Sequence, residues 1–526
     1  MPVQTLIKTS EYHDSVSLML VARELARLPG VSDAAVVMAT EANKAILKDA
    51  NLLTPAAQAA TPNDLVIAVS GSDAHECQQA LAEAEKLLQK KHPETAESGF
   101  RPKTLRAAAT SSGANLAVIS VAGRYAAEEA WDALRLGLHV LLFSDNVSLE
   151  DEIALKQYAS QNGLLLMGPG AGTAILNGVA LGFANRLPPG PVGIVSAAGT
   201  GLQEVSTLLA RHGVGLTQGL GTGGRDLKEQ VGGLMMLSGL QALQADPATQ
   251  VIVLVSKPPA AAVAQKVWQQ VARSDKPTVV CLLGGDSAQM PHTLTNAPNA
   301  AHAHEYARTL EEAAWLGARA AGADLPEYSA WLAQQAGALA GQAAQLRSGL
   351  APGQRCLRAL FSGGTLCYEA QVIWREMLSE AVLSNAPLEA KNQMLDSTHS
   401  QGHTAVDLGE EEFTVGRPHP MIDNDLRIRR LLQEGRDPAT ALILLDVVLG
   451  YGAHPDPAAE LAPAVRQARQ AAREAGRELL CLASLTGTSE DPQGLERQAQ
   501  ALQAAGVVLC ESNAAAARLA ARIIQA

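Results

Sequence analysis

Residues 192–205 read VGIVSAAGTGLQEV: an apolar, β-branched run, a turn of small residues, then the opening of a helix. A continuous apolar strand running straight into a glycine turn and a helix is the pattern of a parallel strand covered on both faces. Gly199 and Gly201 allow a tight turn and leave the first helical N–H groups pointing outward, and Thr200 adds a hydroxyl. A helix start of this kind attracts phosphate or carboxylate through its unpaired donors and its dipole. The competing reading is a tight turn that holds no ligand.

The pattern returns at 357–370, LRALFSGGTLCYEA, with Gly363, Gly364 and Thr365 at the turn. Two more pairs follow in the same order. VIVLVSKPP (251–259) matches ALILLDVVLGYGAHPDP (441–457), and TVVCLLGGDSAQMP (278–291) matches LLCLASLTGTSEDP (479–492). Where the first copy has GLGTGGRDL (219–227), the second carries the longer DLGEEEFTVGRPHPMID (407–423). Repeated order with matched turns reads as a diverged internal duplication.

Working outward, 1–95 alternates β-α-β-α-β-α and forms a small module, followed by the Pro-, Ser-, Thr- and Gly-rich stretch 92–113. Residues 115–170 read βαβαβ, and 300–346 is Ala-rich and helical in pattern. RLPPGP (186–191) and GLAPGQ (349–354) mark boundaries. The expected domains are 1–100, 112–188, 189–347 and 354–526.

The 526 residues are 47% apolar and 18% charged, enough for large cores and too apolar for global disorder. A net charge of −12 argues against nucleic acid as the main partner, because a phosphate backbone needs a basic face. The six cysteines show no CxxC or other metal spacing, so no metal is expected and reduced thiols are. The N-terminus lacks a signal-peptide pattern, and no apolar run reaches the ~18–20 residues that span a bilayer. A cytoplasmic protein is the expectation.

Further candidates lie beside the glycine turns. In GLGTGGRD (219–226), Gly223 and Gly224 precede Arg225, whose guanidinium can clamp a carboxylate or phosphate; the alternative is a surface Arg225–Asp226 pair. In GRPHPMID (416–423), two prolines stiffen His419 between Arg417 and Asp423, a grouping of cation, acid/base and orienting carboxylate; the alternative is a rigid proline loop. Lys257 ends a parallel strand, at the edge where open α/β sheets bind ligands. Ser148 reads as a helix cap, while Asp145 and Asn146 are open. The chain has no GxxxxGK[ST], HExxH, GxSxG or early GxGxxG.

MGPGAGT (167–173), VGIVSAAGTGLQE, GTGGRD and VIVLVSKPP resemble, in order, the α subunit of succinyl-CoA synthetase and related acyl-CoA synthetases. A resemblance along the whole length is to the FdrA family, carried by DSVSLM (14–19), NLAVISVAG (115–123), LFSDNVSLEDE (142–152), GGRDL (223–227), SKPPAAAVA (256–264), SGGTLC (362–367), the 407–423 segment and DVVLGYGAHPDP (446–457). The resemblance implies an α/β chain. It would comprise an N-terminal ferredoxin- or ACT-like module, a Rossmann-like domain, and two flavodoxin-like domains of succinyl-CoA synthetase type with parallel sheets. It also implies a subunit of an oxamate carbamoyltransferase, which converts oxalurate and phosphate to oxamate and carbamoyl phosphate in allantoin breakdown together with other subunits.

On that reading the glycine turns, Arg225 and Arg417 hold the two anions, His419 moves a proton and Asp423 orients it. Two alternatives stand: an acyl-CoA synthetase subunit using CoA and a nucleotide, and a noncatalytic scaffold or sensor. Two departures from the synthetase pattern matter. No phosphohistidine motif of GHAGA type occurs near TVVCLLGGDSAQMPH, although His292 lies close by. The synthetase CoA-binding domain also starts with glycine-rich phosphate loops, whereas this chain starts with the ACT-like module. Within the FdrA pattern, Gly170 and Ala171 stand where Asp and Cys are usual, so no catalysis is assigned to that turn.

Overall fold

The computed structural model describes residues 2–525 apart from 12, 14, 41–42, 45–46, 49, 90–101, 286–303 and 415–417. It divides into two compact units. One is built on an antiparallel sheet of β1 (Val3–Lys8), β2 (Val31–Met38) and β3 (Leu65–Gly71) in the order β1-β3-β2. The helices Ser15–Ala26 and Ala74–Gln89 bury Leu18, Leu25, Cys77 and Ala84 against Val36, Leu65, Ile67 and Val69 of this sheet.

The second unit carries three parallel arrangements. β4 (Leu116–Ile119), β5 (His139–Leu142) and β6 (Leu166–Met167) form a three-stranded parallel sheet. Ser148 Oγ accepts the Asp151 N–H at 3.0 Å and caps the helix Leu149–Gln161, as its position suggests. The hairpin β7 (Thr173–Leu176) and β8 (Val179–Gly182) leaves this sheet and joins the next one, so the stretch 112–188 contributes to two sheets.

That next sheet contains β9 (Pro189–Ser196), β10 (Leu216–Gly221), β11 (Val251–Ser256), β12 (Thr278–Leu282) and β13 (His304–Ala307). Its order is β13-β12-β11-β9-β10-β7-β8, all parallel except the hairpin. β13 is a difference from the sequence reading, which took 300–346 as helical. The short HEYA segment (304–307) carries little strand pattern of its own and owes its conformation to pairing with β12 at the sheet edge.

The last sheet contains β14 (Cys356–Phe361), β15 (Val382–Ser384), β16 (His403–Asp407), β17 (Thr440–Val448), β18 (Leu480–Thr486) and β19 (Val507–Cys510), in the order β15-β16-β14-β17-β18-β19. Counted within each copy, both sheets run fifth, fourth, third, first, second. The first copy adds the hairpin and the second adds β15, and the internal duplication is thus visible in topology. All residues of β11 and β17 are buried, which accounts for their largely apolar sequences, interrupted within β17 by Asp446. One core contains Val192, Val253, Leu357, Phe361, Trp374 and Leu444, so the two copies share an interior rather than meeting as separate domains. The six cysteines are unbonded to one another. Among the described residues no helix is long and apolar enough to cross a membrane.

Candidate anion site

The two glycine turns lie at corresponding sheet edges and face each other. A Cβ on Gly363 would stand 2.9 Å from Thr200 Oγ1, and one on Gly201 would stand 3.0 Å from Thr365 Cγ2. The helices Gly199–Arg211 and Gly364–Met377 therefore start nose to nose. Neither has a side-chain cap at its first residue. In the first, Leu202 donates the first helical bond to Ala198 O at 2.9 Å, so the amides of Gly199, Thr200 and Gly201 precede the ladder. In the second, Cys367 donates to Gly363 O at 3.0 Å, and Gly364, Thr365 and Leu366 precede it. Gly199, Thr200 and Gly364 keep part of their surface open, whereas Gly201, Gly363 and Thr365 are buried.

The turns differ in what already satisfies them. Asp446, fully buried on β17, accepts Ser362 N at 2.8 Å, Ser362 Oγ at 2.9 Å and Gly363 N at 2.8 Å. Arg427 Nη2 pairs with the same carboxylate at 3.2 Å. The Gly363 amide, expected to face a ligand, is thus spent on the protein's own anion. The first turn has no carboxylate in that place.

Lys257, from the end of β11 in the first copy, reaches the turn of the second. Its Nζ would lie 3.7 Å from a Cβ on Gly364, and it sits 5.5 Å from the centroid of the Tyr368 ring. The same Cβ would run into Asp407 Oδ2, at the end of β16. Burial pushes the Asp407 carboxyl up to about 7, against the pull of Lys257, so this acid exchanges its proton near neutrality. Asp407 Oδ1 accepts Gly409 N at 2.9 Å.

His419 lies on the other side of Gly409. A Cβ there would be 2.9 Å from His419 Nε2, 2.9 Å from Ser362 O and 3.2 Å from Asp407 Oδ1. His419 Nδ1 accepts Met421 N at 3.2 Å, which puts the ring proton on Nε2. Burial, reinforced by Arg427, lowers this histidine to about 4, so the imidazole is neutral at physiological pH. His419 and Asp407 thus form an acid/base neighbourhood behind the second turn.

Two other predicted residues have different tasks. Arg225 Nε pairs with Glu152 Oε2 at 2.7 Å and its Nη2 donates to Val147 O at 2.8 Å. Glu152 also holds Lys156 at 2.9 Å, and Lys156 bonds Asp226 Oδ1 at 2.9 Å, all three being fully buried. Asp226 then accepts the amides of Met235 and Met236 at the start of the helix Leu234–Ala245. The GTGGRD segment is a closed ionic brace, and its Arg225 is committed to Glu152 rather than aimed at a ligand. A Cβ on Gly223 (φ +88°) would press on Pro169 O at 2.7 Å, while Gly224 is exposed. Asp423 is no orienting partner of His419: its Oδ1 accepts Asp425 N at 2.8 Å at the start of the helix Asp425–Arg436. Arg417 and His292 lie outside the described residues.

Sequence reading missed Asp407, Asp446 and the buried pair Glu204 and Glu369. The glutamates occupy the sixth position of their respective helices. Asn513 ties them together, its N–H donating to Glu204 Oε1 at 2.9 Å and its Nδ2 to Glu369 Oε2 at 2.7 Å. Burial raises both acids, Glu369 to about 8. A signal existed: each is the one acid of its quoted repeat and stands at the matching, next-to-last position, and Asp446 is the lone acid in a nine-residue buried strand.

Residues 1–103 match the family described as AllF, heavy metal-associated domain, and residues 360–523 match the CoA-ligase family. YahF of Escherichia coli (strain K12) is 43% identical over 517 residues, covering 98% of this chain and 97% of YahF. The α subunit of the ADP-forming succinate–CoA ligase of Methanothermobacter thermautotrophicus is 27% identical over 146 residues, or 27% of this chain and 48% of that subunit. Among solved structures, PH0766 from Pyrococcus horikoshii OT3 covers 78% of this chain and 83% of its own at 14% identity and a TM-score of 0.32. ATP citrate lyase from Methanothrix soehngenii covers 46% of this chain and 41% of its own at 22% identity and a TM-score of 0.32.

The two family matches make residues 360–523 CoA-ligase-like and residues 1–103 a module of the heavy metal-associated type. They favour the acyl-CoA ligase alternative and lend the carbamoyl-transfer reading no support. Within the module, Cys77 is fully buried with its thiol donating to Pro2 O, and among the described residues no three His, Cys, Asp or Glu side chains converge. The described residues do not fit a metal centre there.

Proposed function

The chain belongs to the family of Escherichia coli YahF, and on that footing we propose that it is an acyl-CoA-synthetase-type protein whose first glycine turn receives a phosphoryl or carboxylate group. The observation that carries this reading is the meeting of two helix N-termini beside one lysine. The amides of Gly199, Thr200 and Gly201 supply donors, Gly364 and Thr365 approach from across the gap, and Lys257 supplies the positive charge. Charge developing on a bound phosphoryl oxygen is stabilised by such fixed donors at little reorganisation cost. Asp407, titrating near neutrality, is the group placed to give or take a proton, and neutral His419 supports it.

The test is thermal denaturation of the full chain with inorganic phosphate, and separately with CoA as substrate. Phosphate raises the melting temperature of the wild type, and Lys257→Ala removes that rise without changing the melting temperature of the free protein. CoA stabilises both. A folded wild type indifferent to both compounds would sink the reading.

A further inference from the structure

A cavity of about 430 Å³ lies between the helices Tyr328–Arg347 and Asn513–Gln525, well apart from the glycine turns in sequence and lined by none of their residues. Its volume is in the range of small-molecule sites. Leu332, Leu339, Leu509 and Leu519 give it apolar walls. Two cations, Arg518 and Arg522, stand one helical turn apart on the same face and both line it. Glu511 is its one acidic lining residue, so the lining carries net positive charge.

The two arginines are unequally occupied. Arg518 bonds Glu311 through Nη2 at 2.5 Å, and its Nε and Nη1 have no protein acceptor among the described residues. Arg522 is exposed and makes no hydrogen bond or ion pair among the described residues. Like charges at this spacing repel, and a planar carboxylate set between them relieves the repulsion while accepting from both. An apolar cavity ending in two partly used guanidinium groups is complementary to an amphiphilic anion. A neutral apolar ligand would leave Arg522 and the free Nε and Nη1 of Arg518 unmatched, and a polyanion would leave the leucine walls wet.

We propose that this cavity binds a medium-length acyl or aryl carboxylate, its head on Arg518 and Arg522 and its body against the leucines. The site is independent of the ligase reading, since it shares no residue with the phosphate-binding turns. Because Arg518 also holds Glu311, a carboxylate arriving there competes with a glutamate that bonds Ser512 and Tyr328.

Isothermal titration of the full chain with decanoate, kept below its micelle concentration, tests the proposal, with decyl alcohol as the uncharged control. Decanoate binds with one-site saturation. Arg522→Gln, at an exposed position, weakens it about ten-fold, the value of one charge-assisted contact. Decyl alcohol binds at least about ten-fold more weakly than decanoate by the same reasoning. Leu339→Trp fills the cavity and abolishes binding; Ala336→Trp, on the exposed part of the same helix, does so if the first variant fails to fold. The proposal is overturned if the folded wild type shows no saturable binding, if decyl alcohol binds as tightly as decanoate, or if decanoate binds a folded cavity-filled variant unchanged.

Discussion

The two copies of the duplicated fold solve one local problem in two ways. In the first, the amide after the strand, Ala197 N, donates to the backbone oxygen of Val255 at 3.0 Å. In the second, the corresponding amide, Ser362 N, donates to the side chain of Asp446 at 2.8 Å. The positions correspond because Val195 pairs with Leu254 as Leu360 pairs with Leu445, which places Val255 and Asp446 alike. A backbone solution leaves the first turn without a resident anion. A side-chain solution fills the second with one, locked by Arg427. Two turns that look alike in sequence therefore have different capacities: the first is open to a ligand, and the second is largely structural.

The largest effect should come from erasing this difference. Asp446→Val installs the residue of the first copy and strands two amides and a buried guanidinium. The expected loss is about 3–5 kcal/mol, read by denaturant unfolding. A loss under about 1 kcal/mol would show that the carboxylate is not what holds the turn.

A second exchange tests the close approach. Gly363→Ala installs the Ala198 of the first copy. Its φ of −109° suits alanine, so the cost arises from the Thr200 side chain 2.9 Å away. We expect about 1–3 kcal/mol of destabilisation. Thr200→Ala in the same chain should recover part of it, since the Cβ of residue 200 stays 3.0 Å away, and a double-mutant cycle without coupling would break the claim that the turns touch.

A third prediction concerns the glutamates that the copies share. Burial raises Glu369 from its usual 4.5 to about 8, so the folded chain keeps a proton that the unfolded chain releases. This contribution is full at acid pH and declines as pH rises toward about 8. Glu204 is raised in the same sense. His419, lowered to about 4, acts oppositely: its contribution is present above about 6.5 and lost as pH falls toward 4. Glu369→Gln should flatten the decline in melting temperature between about pH 4.5 and 8. An unchanged slope would assign it to other groups.

The smallest effect belongs to Arg225. Its side chain is 35% exposed, and Glu152 retains Lys156 when it is removed. Arg225→Ala should cost about 1 kcal/mol and leave the phosphate-induced rise in melting temperature intact. Loss of that rise would return Arg225 to the anion site.

The strands and the repeat were legible because they are local patterns. β11 and β17 announce themselves by long apolar runs, broken within β17 by Asp446 alone, and each glycine turn directly follows its strand. The roles of charged loop residues were less legible. Arg225 and Asp423 sit in segments that read as functional, yet each is taken by a structural partner, Glu152 on a distant helix and the amide of Asp425 nearby. Asp407 escaped notice because an acid at a strand end is ordinary until burial beside Lys257 makes its proton labile near neutrality.

By itself, the sequence determined that two parallel α/β copies would each present a helix N-terminus at a glycine turn. Those features depend on residues within a few positions of one another and on the backbone freedom of glycine. Only the tertiary structure decided which turn stays open. The choice rests on Asp446, which reaches Ser362 across 84 residues of chain, and on Lys257, which crosses from one copy to the other. No local pattern encodes which buried amide a distant carboxylate will satisfy. Strand order and register set that pairing once the sheets form.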